Sequence, residues 1–150
     1  MRNQRGFTMI ELIVVIAILG ILAATALPRF ISVDSSARAA KVNGARGAVL
    51  SGAALAHAAW LVGGSSGTSV QMEGSNIALT FGYPDTSAAS GIQAAAQLST
   101  SDYNITGNGT LTLTISSDLS HALCSFNYLP PTSSGNAPVV TTIAAPGTNC

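Results

Sequence analysis

The chain has 150 residues, 47% hydrophobic, only 8% charged, with a formal net charge of zero. All six Lys and Arg residues lie between Arg2 and Arg46, while Glu73, Asp85, Asp102 and Asp118 follow with no basic partner. A domain without cations cannot neutralise phosphates, which argues against nucleic-acid binding by the C-terminal part. Only His57, His121 and two cysteines could join carboxylates around a metal, and the histidines lack ligand-like spacing, so no cofactor or metal is expected.

The first 28 residues carry the most information. Met1–Gly6 is short and basic. From Phe7 to Leu27, 21 residues, Glu11 is the only charge. As a helix this stretch extends roughly 31 Å, enough to cross the hydrocarbon core of a bilayer. A carboxylate in such a span costs on the order of 2.5–3.5 kcal/mol by insertion scales, so Glu11 requires a reason and a partner. A secretory signal peptide would put its small-residue cleavage site after a shorter apolar run. Here the small residue, Gly6, precedes a longer one. A generic anchor gives no reason for Glu11.

The segment MRNQRG/FTMIELIVVIAILGILAATALPRF resembles the type IV pilins and their relatives, the type II secretion pseudopilins. The resemblance implies cleavage between Gly6 and Phe7 by prepilin peptidase and N-methylation of Phe7. It also implies that Glu11, fifth in the mature chain, pairs during assembly with the Phe7 amine of a neighbouring subunit. The alternative for Glu11 is a carboxylate that snorkels to the membrane face one turn away. Pro28 lacks an N–H and should kink or break the helix where it leaves the membrane. Removal of Arg2 and Arg5 with the leader leaves four basic and six acidic side chains, a net of −2.

From Arg29 to about Leu61 a second helical stretch follows. Val42, Val49, Ala53, Ala56 and Trp60 form its apolar face, and Asp34, Arg38, Lys41 and Arg46 mark the other side. Gly63-Gly64-Ser65-Ser66-Gly67 ends it and starts a flexible connector. This run also matches G-x-S-x-G, but a nucleophile elbow needs a strand before the serine and a helix after it. No enzymatic role is read here.

The remainder predicts a small β-rich head. Asn76–Tyr83 reads as a strand, and Pro84-Asp85-Thr86 opens an Ala-rich helix to about Leu98 with Asp85 or Ser87 as N-cap. Tyr103–Thr106 and Thr110–Ser116 flank Gly107-Asn108-Gly109, a hairpin signal, with Leu111, Leu113 and Ile115 facing inward. Leu119–Tyr128 and Val139–Ala144 supply two more strands. Cys124 and Cys150, in a chain bound for the periplasm or the exterior, read as a disulfide. A C-terminal loop closed in this way also resembles the pilin pattern.

The expected fold is therefore α+β: a leader at 1–6, a transmembrane and assembly helix at 7–28, its amphipathic continuation at 29–62, and a head at 63–150. Phe81-Gly82-Tyr83-Pro84, Cys124-x-Phe126-x-Tyr128 and terminal Cys150 are similar to the mannose-sensitive haemagglutinin (MSHA) group of type IVa pilins. The resemblance implies a structural subunit that polymerises into a surface filament used for attachment or motility. Its implied partners are further copies of itself, prepilin peptidase, an inner-membrane assembly machinery and an outer-membrane secretin. Its implied location is the inner membrane before assembly and the cell exterior afterwards. The alternatives are a type II secretion pseudopilin and a minor pilin of a pilus or DNA-uptake system.

Overall fold

A computed structural model describes residues 6–143 and Cys150, and describes residues 27–32 by backbone alone. The chain divides into two compact units, Met1–Ser35 and Ser36–Cys150.

The first unit contains the start of α1, Met9–Val62. The window Met9–Ala26 has a mean hydropathy of 2.6, and none of it is buried. Helical structure continues through Pro28, whose side chain lies outside the described residues.

The second unit is built on the later part of α1. Ala39, Val42, Ala45, Val49 and Ala53 recur at helical spacing and pack against Leu113, Ile115, Phe126 and Tyr128. A second cluster joins Ala56 to Ile77 and Leu79. The small residues let other backbone come close: a Cβ on Gly52 would lie 2.7 Å from the carbonyl oxygen of Ala95. The helix ends in a Schellman motif. Ser65 N–H donates to Trp60 O at 3.0 Å, Gly64 N–H donates to Leu61 O at 3.1 Å, and Gly64 takes φ +89°.

Two antiparallel sheets follow. The first joins β1 (Ser69–Met72), β2 (Ser75–Thr80) and β3 (Tyr83–Pro84) in that order. After the short α2 (Ile92–Ala95), the second sheet joins β4 (Asn104–Thr106), β5 (Leu113–Ser116), β6 (Ser125–Leu129) and β7 (Val139–Val140). The α+β expectation holds, and several local expectations change for identifiable reasons.

Asn76–Tyr83 is not one strand. Phe81 and Gly82 take φ of +51° and +84° and turn the chain back, so that Thr80 pairs with Tyr83. β1, expected as connector, is a strand because Glu73 and Gly74, φ +47° and +78°, make the two-residue turn that returns it onto β2. The helix expected over 85–98 shrinks to four residues. Asp85 accepts hydrogen bonds from Ser87 N–H at 2.8 Å and Ser87 Oγ–H at 2.9 Å, a local turn that competes with helix. Neither residue caps α2; Gly91 holds that position without a side-chain bond.

Leu111 is 79% exposed rather than inward-facing. Thr110 Oγ1 bonds Gly107 O at 2.6 Å and Thr112 O at 2.9 Å, which prolongs the turn and delays β5 until Leu113. The strand expected from Leu119 begins only at Ser125, because the Asp118 carboxylate accepts His121 N–H at 2.9 Å and folds the intervening residues into a turn. The strand expected over 139–144 covers Val139–Val140, and residue 144 lies outside the described residues.

Candidate functional site

One candidate region is the start of α1. Thr8 is the N-cap: its N–H and its hydroxyl donate to Glu11 Oε2 at 2.9 and 2.7 Å, and its Oγ1 lies 3.4 Å from Glu11 N. This is a capping box, in which the residue three positions into the helix reaches back to the cap. Thr8-x-x-Glu11 matches the sequence signature of such a box. Gly6 and Phe7 precede it in exposed, non-helical backbone, with Phe7 84% exposed. Residues 1–5 of the expected leader lie outside the described residues. The arrangement places an accessible peptide bond, an aromatic residue and a carboxylate within one turn of each other at the head of an apolar helix.

A separate candidate region is the closure of the head. Cys124 and Cys150 form a disulfide, and both are buried. Three cations on α1 then bind backbone carbonyls. Arg38 Nε–H donates to Cys150 O at 2.8 Å, and Arg46 Nε–H donates to Thr141 O at 2.8 Å. Lys41 Nζ donates to Ser117 O at 2.9 Å and to Asp102 O, with the Tyr103 ring 5.0 Å away. Charge-assisted bonds of this kind are stronger than neutral ones. These side chains do not mark a face turned from the head; they flank the buried stripe and hold the tail and two loops. The available clue was that a head without cations of its own received all of them from one helix.

The histidines are structural and lie apart. His57 Nδ1 meets Gly82 O at 2.9 Å, so its N–H donates to that carbonyl. Its ring stacks on Tyr83 at 4.0 Å between centroids and lies 5.6 Å from Trp60. His121 pairs with Asp118 at 2.9 Å. The Asp118 carboxyl lies below its ordinary value: burial pushes it up, and hydrogen bonds from His121 and Ser117 outweigh that effect. Tyr128 is shifted upward, chiefly by burial and then by the charges of Asp85 and Tyr83. Its hydroxyl donates to Pro84 O at 2.7 Å.

A bare apolar helix with a carboxylate in its first turn, joined to a small disulfide-closed head, defines an anchored assembly subunit. Residues 1–27 match the prokaryotic N-terminal methylation motif. The chain is 36% identical over 117 residues to a type IV major alpha-pilin of Moraxella bovis, covering 77% of this chain and 70% of that one. It is 46% identical over 54 residues to the type IV narrow pilus major component PilA5 of Thermus thermophilus, 36% of this chain and 47% of the relative. Fimbrial protein Q of Moraxella bovis is 52% identical over 44 residues, 29% of this chain and 28% of that one. No solved structure matches it significantly. The chain belongs to the type IV pilin family and is a structural subunit of a pilus.

Proposed function

We propose that the chain is made with a leader at residues 1–6, cut between Gly6 and Phe7 by prepilin peptidase, and methylated on the new Phe7 amine. Residues 7–28 hold the subunit in the inner membrane. An assembly machinery then extracts it into a filament that leaves through an outer-membrane secretin and serves attachment or motility. Residues 29–62 continue the assembly helix, with Pro28 at the junction, and residues 63–150 form the outer surface.

The observation that carries this reading is the state of Glu11. Both bonds from Thr8 fall on Oε2. Oε1 is therefore the atom left to receive a neighbour's Phe7 amine, which would neutralise the carboxylate and set the axial register of one subunit on the next. Glu11→Ala should leave leader cleavage intact, by intact mass, while removing most surface filaments. Normal piliation by this variant would end the pairing role.

Within the family, Phe81-Gly82-Tyr83-Pro84 and Cys124-x-Phe126-x-Tyr128 support the MSHA group. The Tyr128 hydroxyl bonds the Pro84 carbonyl, so the two motifs depend on each other. The disulfide-closed tail favours a pilus over a secretion pseudopilus.

A further inference from the structure

The sequence contains two Asn-Gly pairs, Asn43-Gly44 and Asn108-Gly109. In such a pair the glycine backbone nitrogen can attack the asparagine side-chain carbon Cγ, because no Cβ on the glycine obstructs the approach. The nitrogen gives up its proton, a C–N bond forms to Cγ, and the side-chain amide leaves as ammonia. Water then opens the resulting ring at either carbonyl, which leaves aspartate or isoaspartate. Water is the only co-reactant. A folded chain permits the reaction where the backbone can rotate the nitrogen towards Cγ and where the N–H can leave its hydrogen bond.

The fold treats the two pairs differently. Asn43 and Gly44 lie in the interior of α1. An α-helix bonds each interior N–H to the carbonyl four residues back, and the turns on both sides hold the backbone in place. Turning Gly44 N towards Cγ would break the helix between Val42 and Ala45, both buried in the core. Asn108 and Gly109 instead form the centre of the turn between β4 and β5, and both are exposed. Thr110 N–H donates to Gly107 O at 3.1 Å across them, and Gly109 takes φ +73° as third residue of the turn. Around Gly109 the space is open, since a Cβ there would meet nothing within 4 Å. Among the described residues no hydrogen bond holds the Asn108 side chain, whereas Asn104 and Asn127 are bonded to Ser116 and Thr114.

One clasp restrains the exposed pair. Gly109 N–H, which carries the proton that must depart, donates to Thr86 O at 2.9 Å. Thr86 Oγ1 donates to Thr110 O, so two bonds tie this turn to the chain that follows β3. Thr86 itself is only 4% exposed. While the clasp is closed, the nitrogen is engaged with Thr86 and cannot swing to Cγ. Attack therefore proceeds from the opened turn, and its rate follows how often the clasp opens.

We propose that Asn108 is a modification site, where the chain loses ammonia at a rate gated by the Gly109–Thr86 bond, while α1 protects Asn43. The product carries a new carboxylate within residues 63–150, which hold four acidic side chains and no basic one. Each conversion adds uncompensated negative charge to the β4–β5 turn, so older chains become chemically distinct from newly made ones. The proposal goes beyond the pilus reading and does not depend on it.

The test uses the full-length chain in detergent, incubated at mildly alkaline pH with and without guanidinium chloride. Peptide mass mapping reads the exchange of NH2 for OH at each asparagine, and enzymatic methylation reads isoaspartate. In the native chain Asn108 should convert while Asn43 stays intact. In denaturant both should convert at similar rates, and faster than native Asn108. Thr86→Val removes the hydroxyl bond to Thr110 O and keeps the volume. It should raise the native rate at Asn108 about fivefold, the factor that one hydrogen bond of ordinary net strength carries. If that variant does not fold, hydrogen exchange at Gly109 of the unsubstituted chain replaces it, and its protection should match the ratio of denatured to native rates at Asn108. Native Asn108 that converts no faster than Asn43, or as fast as in denaturant, would overturn the proposal and leave the pilus reading standing. So would a folded Thr86→Val chain whose rate equals that of the parent.

Discussion

Thr8 and Glu11 form a closed pair in the single chain: the Thr8 N–H and hydroxyl both donate to Glu11 Oε2, at 2.9 and 2.7 Å. The pair separates two roles for the carboxylate, capping its own helix and neutralising a neighbour. Thr8→Ala removes the side-chain cap, a change that ordinarily costs about 1 kcal/mol, and leaves the charge in place. Filament yield from Thr8→Ala should stay near that of the parent, whereas Glu11→Ala should lose most of it. Equal loss in both, measured on sheared material, would assign Glu11 to the cap alone.

The glycines of α1 should respond with opposite signs. Around Gly44 and Gly47 a Cβ meets nothing within 4 Å, so alanine at either position should stabilise detergent-solubilised monomer by about 1 kcal/mol through helix propensity. At Gly52 the same Cβ would meet the Ala95 carbonyl oxygen at 2.7 Å. Gly52→Ala should therefore lower the unfolding midpoint. A rise in all three by thermal circular dichroism would contradict the packing described.

The β2–β3 turn makes a second sign test. Asparagine tolerates positive φ better than phenylalanine does, so Phe81→Asn should stabilise the monomer by about 0.5–1 kcal/mol. Gly82→Ala should destabilise it, because φ is +84° and Trp60 leaves no room for a methyl group. Thermal melts of the two variants should move in opposite directions.

Asp118 should make stability fall in acid. Its carboxyl lies below the ordinary value of 3.8; burial alone would raise it, and the bonds from His121 and Ser117 prevail. A depressed folded value means that the contribution is present above about pH 4 and is lost as pH falls through the lower, folded value. Asp118→Asn should flatten the acid side of a plot of unfolding midpoint against pH between about 2 and 5. An unchanged slope in that variant would show that the His121 pair does not contribute.

The long helix was the most legible part of the sequence. Val42, Val49, Ala53 and Ala56 recur at helical spacing, and each of these residues is buried. Cys124 and Cys150 were equally plain, being the only two cysteines. The turns were less legible, since Phe81 occupies a position where Asn or Gly is usual and nothing local announces it. Asp85 and Asp118 resembled a helix cap and a strand flank, because the alternation around them does not reveal where their carboxylates bond. A charged residue beside an apolar stripe can face solvent or reach over the stripe to a carbonyl, as Arg38, Lys41 and Arg46 do. Only tertiary structure decides between the two.

The most direct test of the account is the intact mass and N-terminal sequence of protein sheared from the surface of native cells. The account predicts an abundant species that begins at methylated Phe7 and lacks residues 1–6. Processed protein confined to the membrane fraction, with none released by shearing, would contradict a major subunit of a surface pilus and favour a pseudopilin or minor pilin.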